Sequence, residues 1–289
     1  MYESHWQLIA RPFEASNDAR FYYPSEVHQG ALFRLRYALE NRRSAALIAG
    51  PSGLGKTILV QQLAAQLPEA AGPLVHLVFP QMPADQLLAY LAAELSTAMA
   101  FEPDNSSAER GFRGGSPSVE QSVRRLHGAL VENARKGRHA ILALDEAHLI
   151  RDPETLDTIR LLLNFQHQGR PVATLLLIGL PSLLTTLQRI PELEDRIDLK
   201  CLLPRFTLEQ TMGYVAFRLK AAGATRTIFA SDAVECLHDA SQGVPRRINR
   251  LADLALLVGF AEELDMISAR HVESVADELL ARSIDAGAL

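Results

Sequence analysis

A short apolar run, Ala45–Ala49, passes directly into Gly50-Pro51-Ser52-Gly53-Leu54-Gly55-Lys56-Thr57, and a stretch of helical period continues from Thr57 to Gln66. This order of strand, glycine-rich turn and helix is the most restrictive feature of the chain. Glycines let successive backbone N–H groups turn inward as an anion nest, and the helix behind them adds the positive end of its dipole. The spacing G-x-x-x-x-G-K-[ST], set between a strand and a helix, selects phosphate. Residues Gly50 to Gly55 form the cradle, Lys56 brings a point charge to the β- and γ-phosphates, and Thr57 offers a hydroxyl to Mg²⁺. A loop of this kind needs a sheet behind it, so the chain must contain an α/β domain.

The rest of the sequence agrees. Short apolar runs at Ala45–Ala49, Leu74–Phe79, Ala140–Leu144, Ala173–Gly179 and Ile197–Leu203 alternate with longer helical segments, as in a parallel sheet covered on both faces. Helix starts are readable. Ser118 with Gln121 is a capping box ahead of the helix toward Arg135, and Asp152-Pro153-Glu154 supplies an N-cap, a first-turn proline and an acid at the helix N-terminus. After Pro204 no strand candidate follows, only helices opened by Thr207…Gln210, by Ser231, around Arg246–Glu262 and by Ser268. The expected architecture is α/β: a Rossmann-like αβα P-loop domain with a five-stranded parallel sheet over residues 1–204, of which 1–24 are an N-terminal extension. An all-α lid follows over 205–289. Glu102–Pro117, rich in Gly, Ser, Pro and Asn, reads as a mobile loop.

A second element ends another strand: Ile141-Leu142-Ala143-Leu144-Asp145-Glu146. A carboxylate at the C-terminal end of a buried strand beside a phosphate loop suits Mg²⁺ held through water, which assigns Asp145 to the metal. Glu146 is then placed to orient the attacking water or accept its proton. Asp145-Glu146-Ala147-His148 also spells the DEAH of a helicase class, but the chain is too short for two helicase domains, and His148 reads as a capping or surface residue.

Composition narrows the function classes. With a net charge of −5, attachment to nucleic acid by bulk charge is excluded, though basic clusters occur at Arg34/Arg36, Arg42/Arg43, Arg124/Arg125, Arg135/Lys136/Arg138 and Arg246/Arg247/Arg250. These clusters have acids interspersed elsewhere and no aromatic platform beside them, so they read as solvated helix faces. Two cysteines, Cys201 and Cys236, cannot build a disulfide framework and read as core in a reducing compartment. No signal peptide is apparent at the first residues, and no apolar run approaches the roughly 20 residues of a membrane span. A cytoplasmic protein with no membrane span is expected.

Taken together these residues resemble the AAA+ ATPases of the ExeA/GspA type, secretion-assembly ATPases related to the initiator-like branch of AAA+ proteins. The resemblance begins at Pro12-Phe13 and Arg20-Phe21-Tyr22-Tyr23-Pro24-Ser25, takes in both acidic and glycine-rich motifs, and resumes at Leu162-Leu163-Asn164-Phe165 and Leu177-Ile178-Gly179-Leu180-Pro181. It closes at Gly243-Val244-Pro245-Arg246-Arg247-Ile248-Asn249. It implies that Arg246 reaches the phosphates from the lid as a sensor-2 arginine. Arg196, with Arg189 as the other candidate, would be an arginine finger for a neighbouring subunit, and Tyr23 and Phe21 would line the adenine pocket. Two positions depart from the family pattern: Leu180 stands where relatives carry a polar residue, and Phe79-Pro80-Gln81 where they carry an asparagine that restrains the catalytic glutamate.

The function expected from sequence is therefore an ATPase that binds and hydrolyses ATP·Mg²⁺ between the two domains, closes its lid about a hinge near Pro204–Phe206, and works as a homo-oligomer on a protein partner of secretion or transposition machinery. The alternative is an ATP-gated, DNA-associated helper of a transposition system with little turnover. A small P-loop kinase or a GTPase fits less well, because the helical C-terminal part argues against the first and no Asn-Lys-x-Asp stretch supports the second.

Overall fold

The computed structural model describes residues 1–14, 18–68, 70–100 and 117–285; apart from Pro117, the expected loop Glu102–Pro117 lies outside them. In chain order the elements are α1 (Glu26–Glu40), β1 (Ala45–Ala49), α2 (Lys56–Ala65), β2 (Ala71–Leu77), α3 (Ala84–Ala100), α4 (Val119–Arg135), β3 (His139–Leu144), α5 (Pro153–Leu162), β4 (Gln166–His167), β5 (Arg170–Pro171) and β6 (Ala173–Gly179). After them come α6 (Ser182–Leu187), α7 (Pro191–Glu194), β7 (Ile197–Leu202), α8 (Leu208–Ala221), α9 (Ser231–Ser241), α10 (Pro245–Ala261) and α11 (Ala269–Asp285). The chain divides into two compact units, one of Val27–Pro51 and Lys56–Leu203, the other of Met1–Glu26, Ser52–Gly55 and Pro204–Leu289.

The first unit is built on a five-stranded parallel sheet of order β2-β3-β6-β1-β7. Its central strands are buried along their whole length, β1 as Ala-Ala-Leu-Ile-Ala and β3 as His-Ala-Ile-Leu-Ala-Leu, which is why they read as apolar runs rather than alternating ones. Leu87, Leu91 and Leu95 of α3 pack with Leu126 and Leu130 of α4 and Ile159 of α5 against that sheet. The capping boxes and N-caps legible in sequence form: Ser118 accepts from the Gln121 N–H, and Asp152 from the Thr155 N–H. The strand order sets β1 and β3 on either side of β6, with Ala49 opposite Gly179 and Leu144 opposite Leu177. Gly50, Asp145 and Leu180 therefore emerge side by side at the carboxyl ends, where open α/β sheets bind ligands.

Two details differ from expectation. β2 runs Ala71–Leu77 and stops short of Phe79, because Val78 and Phe79 are 60% and 64% exposed and have left the sheet. The β4–β5 hairpin escapes the apolar pattern altogether. It is two residues a side, turned by Gln168 and Gly169 at positive φ.

His139, at the head of β3, is 2% exposed, with Nε2 2.8 Å from the Thr174 hydroxyl on β6. Burial, reinforced by the nearby Arg42 guanidinium, pushes its imidazole down to about 4. In the unfolded chain that group titrates near 6.5, so between about pH 6.5 and about pH 4 the unfolded state binds a proton that the folded state refuses. Its contribution is whole above that window and is lost on acidification, by roughly 3 kcal/mol. Denaturant titrations of wild type and His139→Gln at about pH 7 and about pH 4.5 should show the steeper acid loss in wild type; parallel losses would reject the assignment.

In the second unit, helices α8 to α11 pack together, and Thr207 with Gln210 completes the expected capping box. α9 begins at Ser231, but its N-cap is Ala230 without a side-chain cap. Residues 1–24, read from sequence as an extension of the sheet domain, here belong with the C-terminal helices. The cause is a long-range burial that no local pattern reveals: Trp6, Leu8, Phe13 and Phe21 share a core with Val215, Leu219, Leu256 and Ile267. Buried Arg218 on α8 ties the segment down, donating to the Pro12, Phe21 and Glu14 carbonyls, with its guanidinium 4.8 Å from the Phe21 ring centre.

Candidate nucleotide-binding site

At the carboxyl end of β1 the chain turns through the glycine-rich loop, and α2 begins at Lys56. Lys56 is only 7% exposed; its ammonium donates to the Gly50 carbonyl at 2.9 Å and the Pro51 carbonyl at 3.1 Å. The loop thus holds its own cation at the helix N-terminus. Next along α2, the Thr57 hydroxyl donates to Asp145 Oδ2 at 2.8 Å, bridging the phosphate-loop helix to the end of β3.

Asp145 is 2% exposed. Its Oδ1 accepts the Glu146 N–H at 2.9 Å, and its own N–H donates to the Leu77 carbonyl of β2. Burial alone would push this carboxyl up. The His76 imidazole, 3.4 Å away on β2, the Thr57 hydroxyl and the Glu146 N–H outweigh it and hold the group below the usual aspartate range. An ionised carboxylate beside a hydroxyl is a donor pair of hard oxygens. Mg²⁺ characteristically takes one or two such protein ligands and completes its shell with phosphates and water, so Thr57 and Asp145 fit it. Among the described residues no group of three or more His, Cys, Asp or Glu could hold a metal instead.

Glu146 caps the 3₁₀ turn Ala147–Leu149 with left-handed backbone, φ 51 and ψ 32. That conformation is costly for a residue with a Cβ and clusters where function demands it. Its half-exposed carboxylate lies 3.3 Å from His148 Nδ1. His148 is neither a capping nor a surface residue. Its side chain is 13% exposed, and Nδ1 also accepts the Leu180 N–H at 3.4 Å. Sequence reasoning missed His76 and His148, because a lone histidine at a strand or turn carries no periodic signal.

The tip of the glycine-rich loop, Ser52–Gly55, groups with Pro204–Leu289. There Arg246, at the start of α10, donates its backbone N–H to the Gly53 carbonyl at 3.3 Å. Gly53 has φ 83, and a Cβ on it would come within 2.8 Å of Arg246 Cβ and 3.0 Å of Val244 Cγ1. Only glycine admits this close approach.

Other candidates do not join this group. Arg196 donates to Asn164 Oδ1 at 2.7 Å and precedes Ile197, which pairs with Ala45 at the start of β1, so it stands at the opposite end of the strands from Gly50. Arg189 and Gln81 are exposed. Phe21 lies beneath Arg218 in the core of the helical unit, and half-buried Tyr23 packs against that core, edge-on to Phe206 and Tyr214.

Comparison with known proteins agrees with this geometry. The family described as AAA domain matches residues 39–187. General secretion pathway protein A of Aeromonas hydrophila is 30% identical over 288 residues, covering 96% of this chain and 50% of its own length. The chain thus spans about half of that relative. Among solved structures, the Aeropyrum pernix ORC2 protein in its ADPNP-ADP complexes superimposes with a TM-score of 0.66 at 18% identity, over 93% of this chain and 71% of the other. The Drosophila ORC bound to DNA gives a TM-score of 0.67 at 15% identity, over 96% and 66%. These two share the fold. With a parallel sheet of this order, a glycine-rich loop after β1 and a family match over just over half its length, the chain belongs to the AAA domain family.

Proposed function

We propose that this protein binds ATP with Mg²⁺ on Gly50–Thr57 and hydrolyses it, using the cycle as a homo-oligomer to act on a protein partner of the secretion-assembly kind. The observation that carries the reading is the 2.8 Å bond from Thr57 to Asp145, which joins the phosphate loop to the acidic strand end. Lys56, at the N-terminus of α2, neutralises the transferred phosphate. Mg²⁺, held by Thr57 and Asp145, spreads charge off the phosphate oxygens when bound. Glu146, with half its carboxylate open to solvent, orients the attacking water and takes its proton. Arg246, anchored at Gly53, supports the phosphates with a guanidinium fork. Arg196, half-buried at the start of β7, is proposed as the finger offered to a neighbouring copy.

Calorimetry with ATP and Mg²⁺, together with turnover of wild type and Glu146→Gln, tests the reading. The variant should keep nucleotide uptake and lose about a hundredfold or more in kcat. Equal turnover would refute the role of Glu146, and absent uptake would refute the site.

Leu180 favours a second reading, an ATP-gated DNA-associated helper with slow turnover, because an apolar side chain there leaves one fewer polar group to place the water. On that reading the protein is retained on duplex DNA with ATP and released with ADP, in a salt-dependent way. No retention at low salt would reject it.

A further inference from the structure

The peptide group between Gly179 and Leu180 is hydrogen-bonded on both sides. Its carbonyl accepts the N–H of Gly50, the first residue of the phosphate loop, at 3.2 Å, and its N–H donates to His148 Nδ1 at 3.4 Å. That same Nδ1 lies 3.3 Å from Glu146 Oε2. A ring nitrogen has one proton or one lone pair, never both. When Nδ1 carries a lone pair it accepts from Leu180, and Glu146 has no bond to it. When Nδ1 carries the proton it donates to the Glu146 carboxylate, and the Leu180 N–H loses its acceptor. A tautomer exchange, without change in charge, is enough to pass from one to the other.

We propose that His148 is a positioning residue that latches Glu146, and that the Gly179–Leu180 peptide works the latch by competing for its Nδ1. The proposal rests on the reading of Glu146 as the group that activates water. A carboxylate held by an N–H donor is turned from the water it must orient. Any shift of the phosphate loop pulls on Gly179 through the Gly50 bond, strengthens or breaks the Leu180–His148 bond, and so frees or holds Glu146. The device also makes sense of Leu180: the link between the ends of β6 and β3 runs through its backbone, so its side chain need not be polar. It stands where Gln81, exposed beyond β2, makes no such contact among the described residues.

His148→Ala should raise kcat about threefold to tenfold, the range set by losing one hydrogen bond, with KM and the calorimetric affinity for ATP unchanged. His148→Gln, whose amide can accept from Leu180 and donate to Glu146 together, should keep the latch closed and leave kcat at or below wild type. In the Glu146→Gln background, His148→Ala should change residual turnover by less than about twofold, since the group it releases is gone. A lowered or unchanged kcat in His148→Ala, or an equal rise in that background, would overturn the proposal. The ¹⁵N resonance of His148 Nδ1 supplies a readout independent of turnover. It should move on Glu146→Gln and on addition of ATP·Mg²⁺. A resonance unmoved by both overturns the latch, even where hydrolysis is intact. Absent turnover in wild type with a moving resonance would instead indict the hydrolytic reading alone.

Discussion

Lys56→Ala should fold normally and fail to take up ATP, with affinity lower by about a hundredfold or more and turnover below about one part in a thousand of wild type. The expectation comes from what the ammonium does and from what its removal leaves. It is the one side-chain cation of the phosphate loop, buried at the helix N-terminus where solvent screening is weak, so its attraction for a triphosphate far exceeds that of a surface lysine. A charge-assisted bond of this kind contributes about 1.5–3 kcal/mol to the ground state, and more as charge builds on the leaving phosphate. The loop itself should survive. Gly50 remains bonded to Gly179, and Gly53 to Arg246, so the loop keeps both backbone ties when the carbonyls of Gly50 and Pro51 lose the ammonium. Calorimetry for uptake and circular dichroism for the fold check both halves. An affinity within about threefold of wild type would remove Lys56 from the site.

Trp6→Ala should destabilise the helical unit by about 3–5 kcal/mol and lower its melting temperature by on the order of 10 °C. Trp6 is fully buried, its indole N–H donates to the Leu256 carbonyl at 3.0 Å, and its ring lies edge-on to His5 and under the Arg226 guanidinium. The fit is tight enough that a Cβ on Gly259 would come within 2.6 Å of the indole. Truncation leaves a cavity, removes the bond to the Leu256 carbonyl and leaves an N-terminal segment with one anchor fewer. Scanning calorimetry should show the transition of the helical unit moving while that of the sheet unit stays, and limited proteolysis should open within Met1–Glu26 first. Trp6→Phe should recover part of the loss. A melting curve unchanged by Trp6→Ala would show that the segment adds nothing to the unit.

Much of the sheet and the phosphate loop was legible because the physics there is local. A strand buried on both faces must be apolar, so Ala45–Ala49 and Ala173–Gly179 read with their observed bounds, and Asp152 and Thr207 announce their helices through bonds to residues three positions away. Motif spacing named Lys56 and Thr57, the acidic end of an apolar strand named Asp145 and Glu146, and the Thr57–Asp145 bond joins the two groups. What stayed hidden depends on distant partners. The Pro73-containing edge strand β2 begins and ends three and two residues earlier than its apolar run suggests, because only pairing to β3 decides its limits. His148 passed for a surface residue since one of its partners, the Leu180 N–H just past the end of β6, lies 32 residues away in sequence. The attachment of the N-terminal segment was equally unreadable, as Trp6 and Phe13 look like any aromatic residues near a chain start.

That attachment sets a schedule for synthesis. The indole of Trp6 and the carbonyl it bonds are 250 positions apart, and the Pro12 carbonyl waits 206 positions for Arg218. A ribosome releases the segment early, at roughly 5–20 residues per second, and its berth is completed only when α8 to α11 have emerged. For that interval the segment is without its hydrophobic shelter, while the sheet unit, whose strands all lie between, is already free to form. The core of the helical unit thus closes only when a stretch translated before the sheet meets helices translated after it.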